Sequence, residues 1–253
     1  MVKDKIRQIG VILGTVLMLG NIVLASKIPY NGVSTLEASK SISIYFLPAR
    51  YAFSIWGLIF FGLIIYSVFQ ALPAKRQNDT LRKIGWWYIA GIGAFSVWIF
   101  FFHFQKYLFS TIMMVCLLIA ILVVYEKLEI GIKPVTNSMR YFVQVPFSIF
   151  LGWISMSSIG NIANLLTHYG WNGLGIDAKI WAVVMMVVAI VIAELTAFNR
   201  QDLAYLAVFV WAFIGIGVNH EGVSPVFEAA CVSAAIVVII TVVTLIVRPK
   251  LKS

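Results

Sequence analysis

Residues 50–72 read RYAFSIWGLIFFGLIIYSVFQAL, a run whose only charge is the Arg50 that opens it. A transmembrane helix needs about 20 consecutive, mostly apolar residues, and this run has that length. Charged or turn-forming residues separate it from seven further apolar runs. The eight predicted spans are residues 6–25, 50–72, 84–103, 107–126, 141–166, 179–198, 203–219 and 226–247. The sequence therefore predicts an all-α fold, a polytopic transmembrane helical bundle of about eight helices.

The composition also favours a membrane protein, because 61% of the 253 residues are hydrophobic and only 11% are charged. A soluble domain carries roughly 25% charged residues, so this chain lacks the polar surface that water would require. Its net charge of +9 is distributed in short clusters between the apolar runs. No contiguous basic face remains for nucleic acid, and the lipid bilayer is the expected surrounding.

Lysine and arginine residues in the connections predict the orientation. If the N-terminus lies inside, the inner side holds fourteen of these residues and the outer side five. Cytoplasmic loops carry the excess of positive charge in membrane proteins. The sequence thus predicts a multi-pass protein of the cell membrane with both termini in the cytoplasm.

Two segments near the N-terminus have alternative interpretations. Residues 1–25 have the basic start and apolar run of a cleavable signal, but the run is longer than most signals, which favours its retention as the first helix. Cleavage would leave seven helices. The longest connection, residues 26–48, is either a short lid over the outer helix ends or an ordinary solvated loop.

The eight tryptophans fall into two classes. Four lie at predicted interfaces, where indoles are commonly enriched: Trp86, Trp87, Trp171 and Trp181. Four lie well inside spans: Trp56, Trp98, Trp153 and Trp211. A buried indole N–H needs a partner, either on another helix or on a ligand. The second class is explained either by packing alone or by an aromatic-walled pocket for a flat apolar ligand.

The helical phase slightly favours the pocket. On the fifth span, an arc of about 80° contains one proline, one aromatic residue and several polar residues. They are Pro146, Trp153, Ser157, Asn161, Asn164 and His168. On the third span, Trp98 and Phe102 share a face with Gly91 and Phe95. Asn161 and Asn164 either face a partly hydrated, outward-opening cavity or form hydrogen bonds between helices.

Several chemistries lack their sequence signals. There is no zinc-protease motif, phosphate-binding loop or nucleophile elbow, so the sequence predicts no catalytic residue, no metal site and no required cofactor. Cys116 and Cys231 lie inside apolar runs without metal or disulfide spacing and are expected to be buried, inert thiols. A non-enzymatic function is favoured.

Residues 46–60, FLPARYAFSIWGLIF, resemble the second-helix signature of the TspO/translocator protein family. Trp98 with Phe102 is similar to that family's third-helix motif. Pro146, Trp153 and Asn161 resemble its fifth-helix motif, including the eight-residue step from Trp to Asn. Taken together, these motifs are similar to those of the long-form tryptophan-rich sensory proteins.

The resemblance also has departures. Phe95 stands where the family usually has Asn, and Pro146 lies three residues further from its Trp than in short members. Three extra helices follow residue 178. The predicted organisation is a TspO-like five-helix core in residues 1–166 and three additional transmembrane helices in residues 167–253.

The resemblance implies a pocket for porphyrins, other tetrapyrroles or sterol-like molecules. It places Tyr51, Phe53, Trp56, Trp98, Trp153 and Asn161 in that pocket, and the shared helix faces add Phe102, Ser157 and Asn164. The leading hypothesis is a membrane sensor or carrier of a flat apolar molecule such as a porphyrin. The alternatives are a light-dependent porphyrin-degrading enzyme, and a permease or accessory subunit of a transport complex. Assembly into a homo-oligomer is left open.

Overall fold

The computed structural model describes residues 2–28, 30–32 and 44–247. Eight long helices lie within these residues: α1 Val2–Lys27, α2 Ile55–Ala71, α3 Asp79–His103, α4 Tyr107–Lys127, α5 Asn137–His168, α6 Ala178–Arg200, α7 Leu203–Asn219 and α8 Val226–Val247. The described part of the chain contains no β-strand. The prediction of an all-α fold with about eight helices is confirmed. Most of the suggested lid, residues 33–43, lies outside the described residues.

Seven of the helices in the described residues are long and apolar enough to cross a membrane, α2 together with the turn before it. The remaining helix, α7, is apolar but shorter, with 17 residues. The chain is therefore a multi-pass membrane protein. Cys116 and Cys231 are exposed on the protein surface, so the expectation that they are buried was wrong. A residue within an apolar run of a membrane protein can face either the protein core or the lipid. The sequence alone did not distinguish these two surroundings for the two cysteines.

The chain divides into two compact units, called unit 1 and unit 2 here. Unit 1 comprises the described residues within 1–42, 57–129 and 136–147, and unit 2 those within 43–56, 130–135 and 148–253. Both α2 and α5 contribute residues to both units. The division into domains at residue 166 stays a prediction.

Unit 1 is held together by polar contacts as well as by its apolar core. The Thr15 hydroxyl of α1 lies 2.7 Å from the Ser67 hydroxyl and 2.7 Å from the Tyr88 hydroxyl. Near the start of α1, Arg7 donates to the Leu81 carbonyl at 2.6 Å. Such bonds between helices satisfy polar groups that hydrocarbon cannot solvate. They tie α1 to the rest of unit 1.

The beginning of α5 shows how a proline shapes a helix. Pro146 has no backbone N–H, and its ring excludes the carbonyl four residues earlier from normal α-helical bonding. The preceding turn, Arg140–Gln144, is accordingly a π-helical turn. Gly62 of α2 faces Pro146, and a Cβ at Gly62 would lie 3.0 Å from the Cβ of Pro146. Gly62 thus permits a close approach of α2 to the start of α5 within unit 1.

Unit 2 contains α6, α7, α8 and most of α5. Tyr205 donates to the Ser155 hydroxyl at 3.2 Å, which links α7 to α5. Gly131, with φ of +75°, packs directly against the end of α6. A Cβ at that position would lie 1.7 Å from the Arg200 carbonyl oxygen, so only glycine fits there.

Candidate ligand-binding site

The segment that precedes α2 is attached to α7 through its backbone. Ala49 N–H donates to the Gly215 carbonyl at 2.8 Å. A Cβ at Gly215 would lie 2.9 Å from the Cβ of Ala52 and 3.0 Å from that of Pro48. The missing side chain at Gly215 therefore lets the proline-containing segment lie directly on the surface of α7.

Two side chains of α7 complete this attachment. Trp211 Nε1–H donates to the Ala52 carbonyl at 2.9 Å, and Asn219 Nδ2–H donates to the Leu47 carbonyl at 3.0 Å. Tyr51 packs edge-on against Trp211, with ring centroids 5.3 Å apart. These contacts fix the backbone before and within the 3₁₀ turn Arg50–Ser54, which was predicted as the start of an α-helix.

The attached segment delivers two aromatic rings to α5. Phe53 meets Trp153 edge-to-face at 5.6 Å, with planes 86° apart. Trp56 meets Trp153 at 6.4 Å and 85°, and it also meets Phe150 at 6.3 Å. Edge-to-face contacts at these separations are favourable. The four rings form one group in unit 2, called the aromatic cluster below.

The exposure of the rings increases from one side of the aromatic cluster to the other. Trp153 and Phe150 are 2% and 1% exposed, whereas Trp56 is half-buried and Phe53 is 37% exposed. The cluster thus has a buried floor and an accessible rim. Phe53 and Trp56 are therefore the rings of the cluster that a molecule outside the protein can contact.

The indole N–H of Trp153 has no hydrogen-bond acceptor among the described residues, although the atom is buried. A buried donor without a partner costs about 1–3 kcal/mol. By contrast, Trp211 satisfies its N–H with a backbone carbonyl, as the sequence argument expects of a mid-span indole. The aromatic cluster therefore contains one polar atom that an acceptor on a ligand would satisfy.

The polar residues of the predicted site follow Trp153 along α5. Asn161 donates through Nδ2 to the Ser157 carbonyl at 2.9 Å, a bond within its own helix. Ser157 and Asn161 are half-buried, and Asn164 is buried with 8% exposure. These three side chains place polar groups on α5 beyond the aromatic cluster.

The other two predicted site residues lie in unit 1. Trp98 is stacked between Phe95 at 5.6 Å and Phe102 at 5.1 Å, with planes 14° and 17° apart. Trp98 is half-buried and Phe102 is buried. Helix α3 therefore carries three nearly parallel aromatic rings on one face.

Sequence reasoning missed two residues of the unit 2 arrangement. Phe150 lies one helical turn before Trp153, so helical spacing was a signal that could have found it. Trp211 was recognised only as a mid-span tryptophan. Its bond to Ala52 joins residues 159 positions apart, and no local pattern predicts such a pairing.

The described residues contain no group of His, Cys, Asp or Glu side chains arranged to hold a metal ion. What the aromatic cluster offers is a set of ring edges and one indole donor. These groups are suited to noncovalent binding of a flat ligand.

A family model described as TSPO-like protein matches residues 8–244, which extend from the first turns of α1 almost to the end of α8. No curated protein and no solved structure matches the chain.

Proposed function

Since the chain belongs to the TSPO-like protein family, we propose that this multi-pass membrane protein binds a flat apolar ligand of the porphyrin class and acts as its sensor or carrier. The observation that carries the proposal is the buried, unpartnered N–H of Trp153 inside the aromatic cluster. A porphyrin has a flat apolar face for the rings and nitrogen or carboxylate acceptors for the indole. Binding would remove the cost of the unsatisfied donor.

Arg50 extends this proposal to the porphyrin propionates. It is exposed, it opens the turn that carries Tyr51 and Phe53, and it has no ion pair among the described residues. A guanidinium can bind a carboxylate through two parallel hydrogen bonds. We assign to Arg50 the recognition of one propionate at the rim of the aromatic cluster.

The membrane and the orientation belong to the same proposal. We place the protein in the cell membrane with both termini in the cytoplasm, on the basis of fourteen basic residues on one side and five on the other. Residues 44–56, which carry the aromatic cluster's Phe53 and Trp56, would then lie near the outer surface. A ligand would reach the rim from outside the cell.

The proposal is tested by titrating the detergent-purified full chain with protoporphyrin IX in the dark, following porphyrin absorbance and tryptophan fluorescence. Saturable binding that Trp153→Ala and Trp56→Ala weaken supports it. Trp86→Ala is the matched control, because Trp86 is an exposed indole outside the cluster. Equal loss in all three variants, or no saturation, contradicts the proposal.

Two changes to this titration test the role of Arg50 and the enzyme alternative separately. Arg50→Gln should weaken binding of protoporphyrin IX but not of its uncharged dimethyl ester. Illumination addresses the alternative of a porphyrin-degrading enzyme, which predicts bleaching of the porphyrin that requires the intact protein. Co-purification of a second transport protein would instead favour the accessory-subunit alternative.

A further inference from the structure

A second binding feature lies in unit 1, in residues that the proposed function does not use. A cavity of about 370 Å³ lies between α1 and α2. Ligand pockets commonly measure about 300–1,000 Å³, and one water occupies only about 30 Å³. The main walls of the cavity between α1 and α2 are formed by Ile12, Val16 and Leu19 of α1 and by Ile64, Val68 and Ala71 of α2. This feature is called the α1–α2 groove below.

The α1–α2 groove opens to the surface of unit 1. Val16 and Val68, on its opposite walls, are 59% and 61% exposed. Both helices are long and apolar enough to span a membrane. The opening therefore faces the hydrocarbon of the bilayer or a molecule dissolved in it.

The hydroxyl groups in the α1–α2 groove already have partners. Thr15 lies 2.8 Å from the Val11 carbonyl, 2.7 Å from the Ser67 hydroxyl and 2.7 Å from the Tyr88 hydroxyl. These mutual bonds satisfy the polar atoms within the protein. The groove consequently presents hydrocarbon to an occupant and suits an acyl chain better than a polar molecule.

One end of the α1–α2 groove is closed by polar contacts. Gln8, one helical turn before Ile12, donates through Nε2 to the Gln70 carbonyl at 2.6 Å. Arg76 donates through Nε to Gln8 Oε1 at 3.2 Å, which holds the guanidinium at this end. The two terminal amino groups of Arg76 have no acceptor among the described residues. Leu72 is also part of the groove wall at this end.

A second cation shares this end. Lys5 lies seven residues before Ile12, on the same face of α1, and it is exposed without an ion pair among the described residues. The neighbouring carboxylate of Asp4 is engaged by Arg82, at 2.8 Å and 2.9 Å. Positive charge is therefore available where the spans α1 and α2 reach the headgroup region.

From this combination we infer that the α1–α2 groove binds one anionic phospholipid, with an acyl chain along the groove and its phosphate at Arg76 and Lys5. A guanidinium matches a phosphate in charge and in hydrogen-bond geometry. Basic pockets between transmembrane helices are a recognised setting for anionic headgroups. The charge at the end of the groove selects an anionic lipid over a zwitterionic one with the same chains.

Native mass spectrometry of the full chain, titrated with dioleoyl phosphatidylglycerol or dioleoyl phosphatidylcholine, tests this inference. We expect tighter binding of phosphatidylglycerol, and about fivefold weaker binding of it in Arg76→Gln and in Lys5→Gln. Lys83→Gln is the matched control, since Lys83 is an exposed lysine of unit 1 outside the groove. Lys5→Gln disturbs no hydrogen bond within the described residues. Weaker lipid binding in this variant would therefore not result from a change in the fold.

The acyl chain has its own test. Ala71→Phe fills the α1–α2 groove and should weaken phosphatidylglycerol binding about tenfold or more. Leu58→Phe adds the same ring at an exposed position of α2 outside the groove and should leave binding unchanged. Equal binding of both lipids, an equal effect of Lys83→Gln, or unchanged binding in Ala71→Phe would overturn the inference.

Discussion

Trp153 combines two properties that packing alone does not explain: its ring is nearly fully buried, and its N–H has no acceptor among the described residues. Packing would be served as well by Phe, which has no donor to satisfy. In the proposed function, a ligand accepts the hydrogen bond of this indole. From the sequence, Trp153 was one of four mid-span tryptophans, and nothing distinguished its N–H from the other three.

Replacing Trp153 by Phe separates these two roles. The variant loses the donor but keeps an aromatic ring, so porphyrin affinity should fall about fivefold or more, because binding no longer relieves an unsatisfied donor that costs about 1–3 kcal/mol. The midpoint of thermal unfolding should change little, because removal of the unsatisfied N–H offsets the smaller ring. Titration and thermal unfolding of the same preparation measure both. Full affinity in Trp153→Phe would exclude the indole as a ligand donor.

Trp211 has a different role, because its N–H is bonded to Ala52. Trp211→Phe removes this bond, although the Ala52 carbonyl still accepts from the Ile55 N–H. We expect a loss of about 0.5–1.5 kcal/mol in the free energy of unfolding together with weaker porphyrin binding. Trp181→Phe is the control, since Trp181 donates to the Gly173 carbonyl at 2.8 Å, away from the segment attached to α7. It should lower stability similarly and leave binding intact. Equal binding by the two variants would contradict a positioning role for Trp211.

At the level of the helices, the sequence predicted most of the fold. The predicted ends of the fourth, seventh and eighth spans agree with α4, α7 and α8 to within one residue. Long hydrophobic runs in a membrane form helices, because a helix satisfies its own backbone hydrogen bonds. The turn at Arg50–Ser54 was missed, because it is stabilised by attachment to α7, which lies far away in the sequence.

The candidate site was predictable only in part, for the same reason. Phe53, Trp56 and Trp153 were predicted site residues, and the structure brings their rings into contact. The segment before α2 is attached to α7 at Gly215. This close contact is possible because Gly215 has no side chain. A glycine in an apolar helix has many explanations, and a single sequence does not distinguish them.

The attachment to α7 predicts opposite results for two glycines of one helix. Gly215→Ala should displace Pro48 and Ala52, lower the free energy of unfolding by about 1–3 kcal/mol and weaken porphyrin binding. Gly217→Ala places its Cβ at an ordinary 3.7 Å from Ala230 and should be neutral or stabilising through helix propensity. Thermal unfolding and porphyrin titration compare them. Similar behaviour of the two variants would show that the close contact at Gly215 has no role.

For the whole molecule, the membrane character follows from its helices, whereas the orientation is a proposal based on charge. Cysteine labelling tests it in a variant in which Cys116 and Cys231 are replaced by Ser. A membrane-impermeant maleimide should label Tyr169→Cys in intact cells and Gln77→Cys only after lysis, because both positions are exposed and the proposed orientation puts Tyr169 outside and Gln77 inside. The reverse pattern would place the aromatic cluster on the cytoplasmic side.

The proposed function requires that the indole of Trp153 meets the ligand. The most direct measurement is the NMR spectrum of the protein labelled with ¹⁵N at its tryptophans, with the Trp153 indole signal assigned by its absence in Trp153→Phe. On addition of protoporphyrin IX, the Trp153 signal should shift and saturate together with that of Trp56, while the signal of exposed Trp86 should stay in place. Saturable porphyrin binding that leaves the Trp153 signal unmoved would contradict the account.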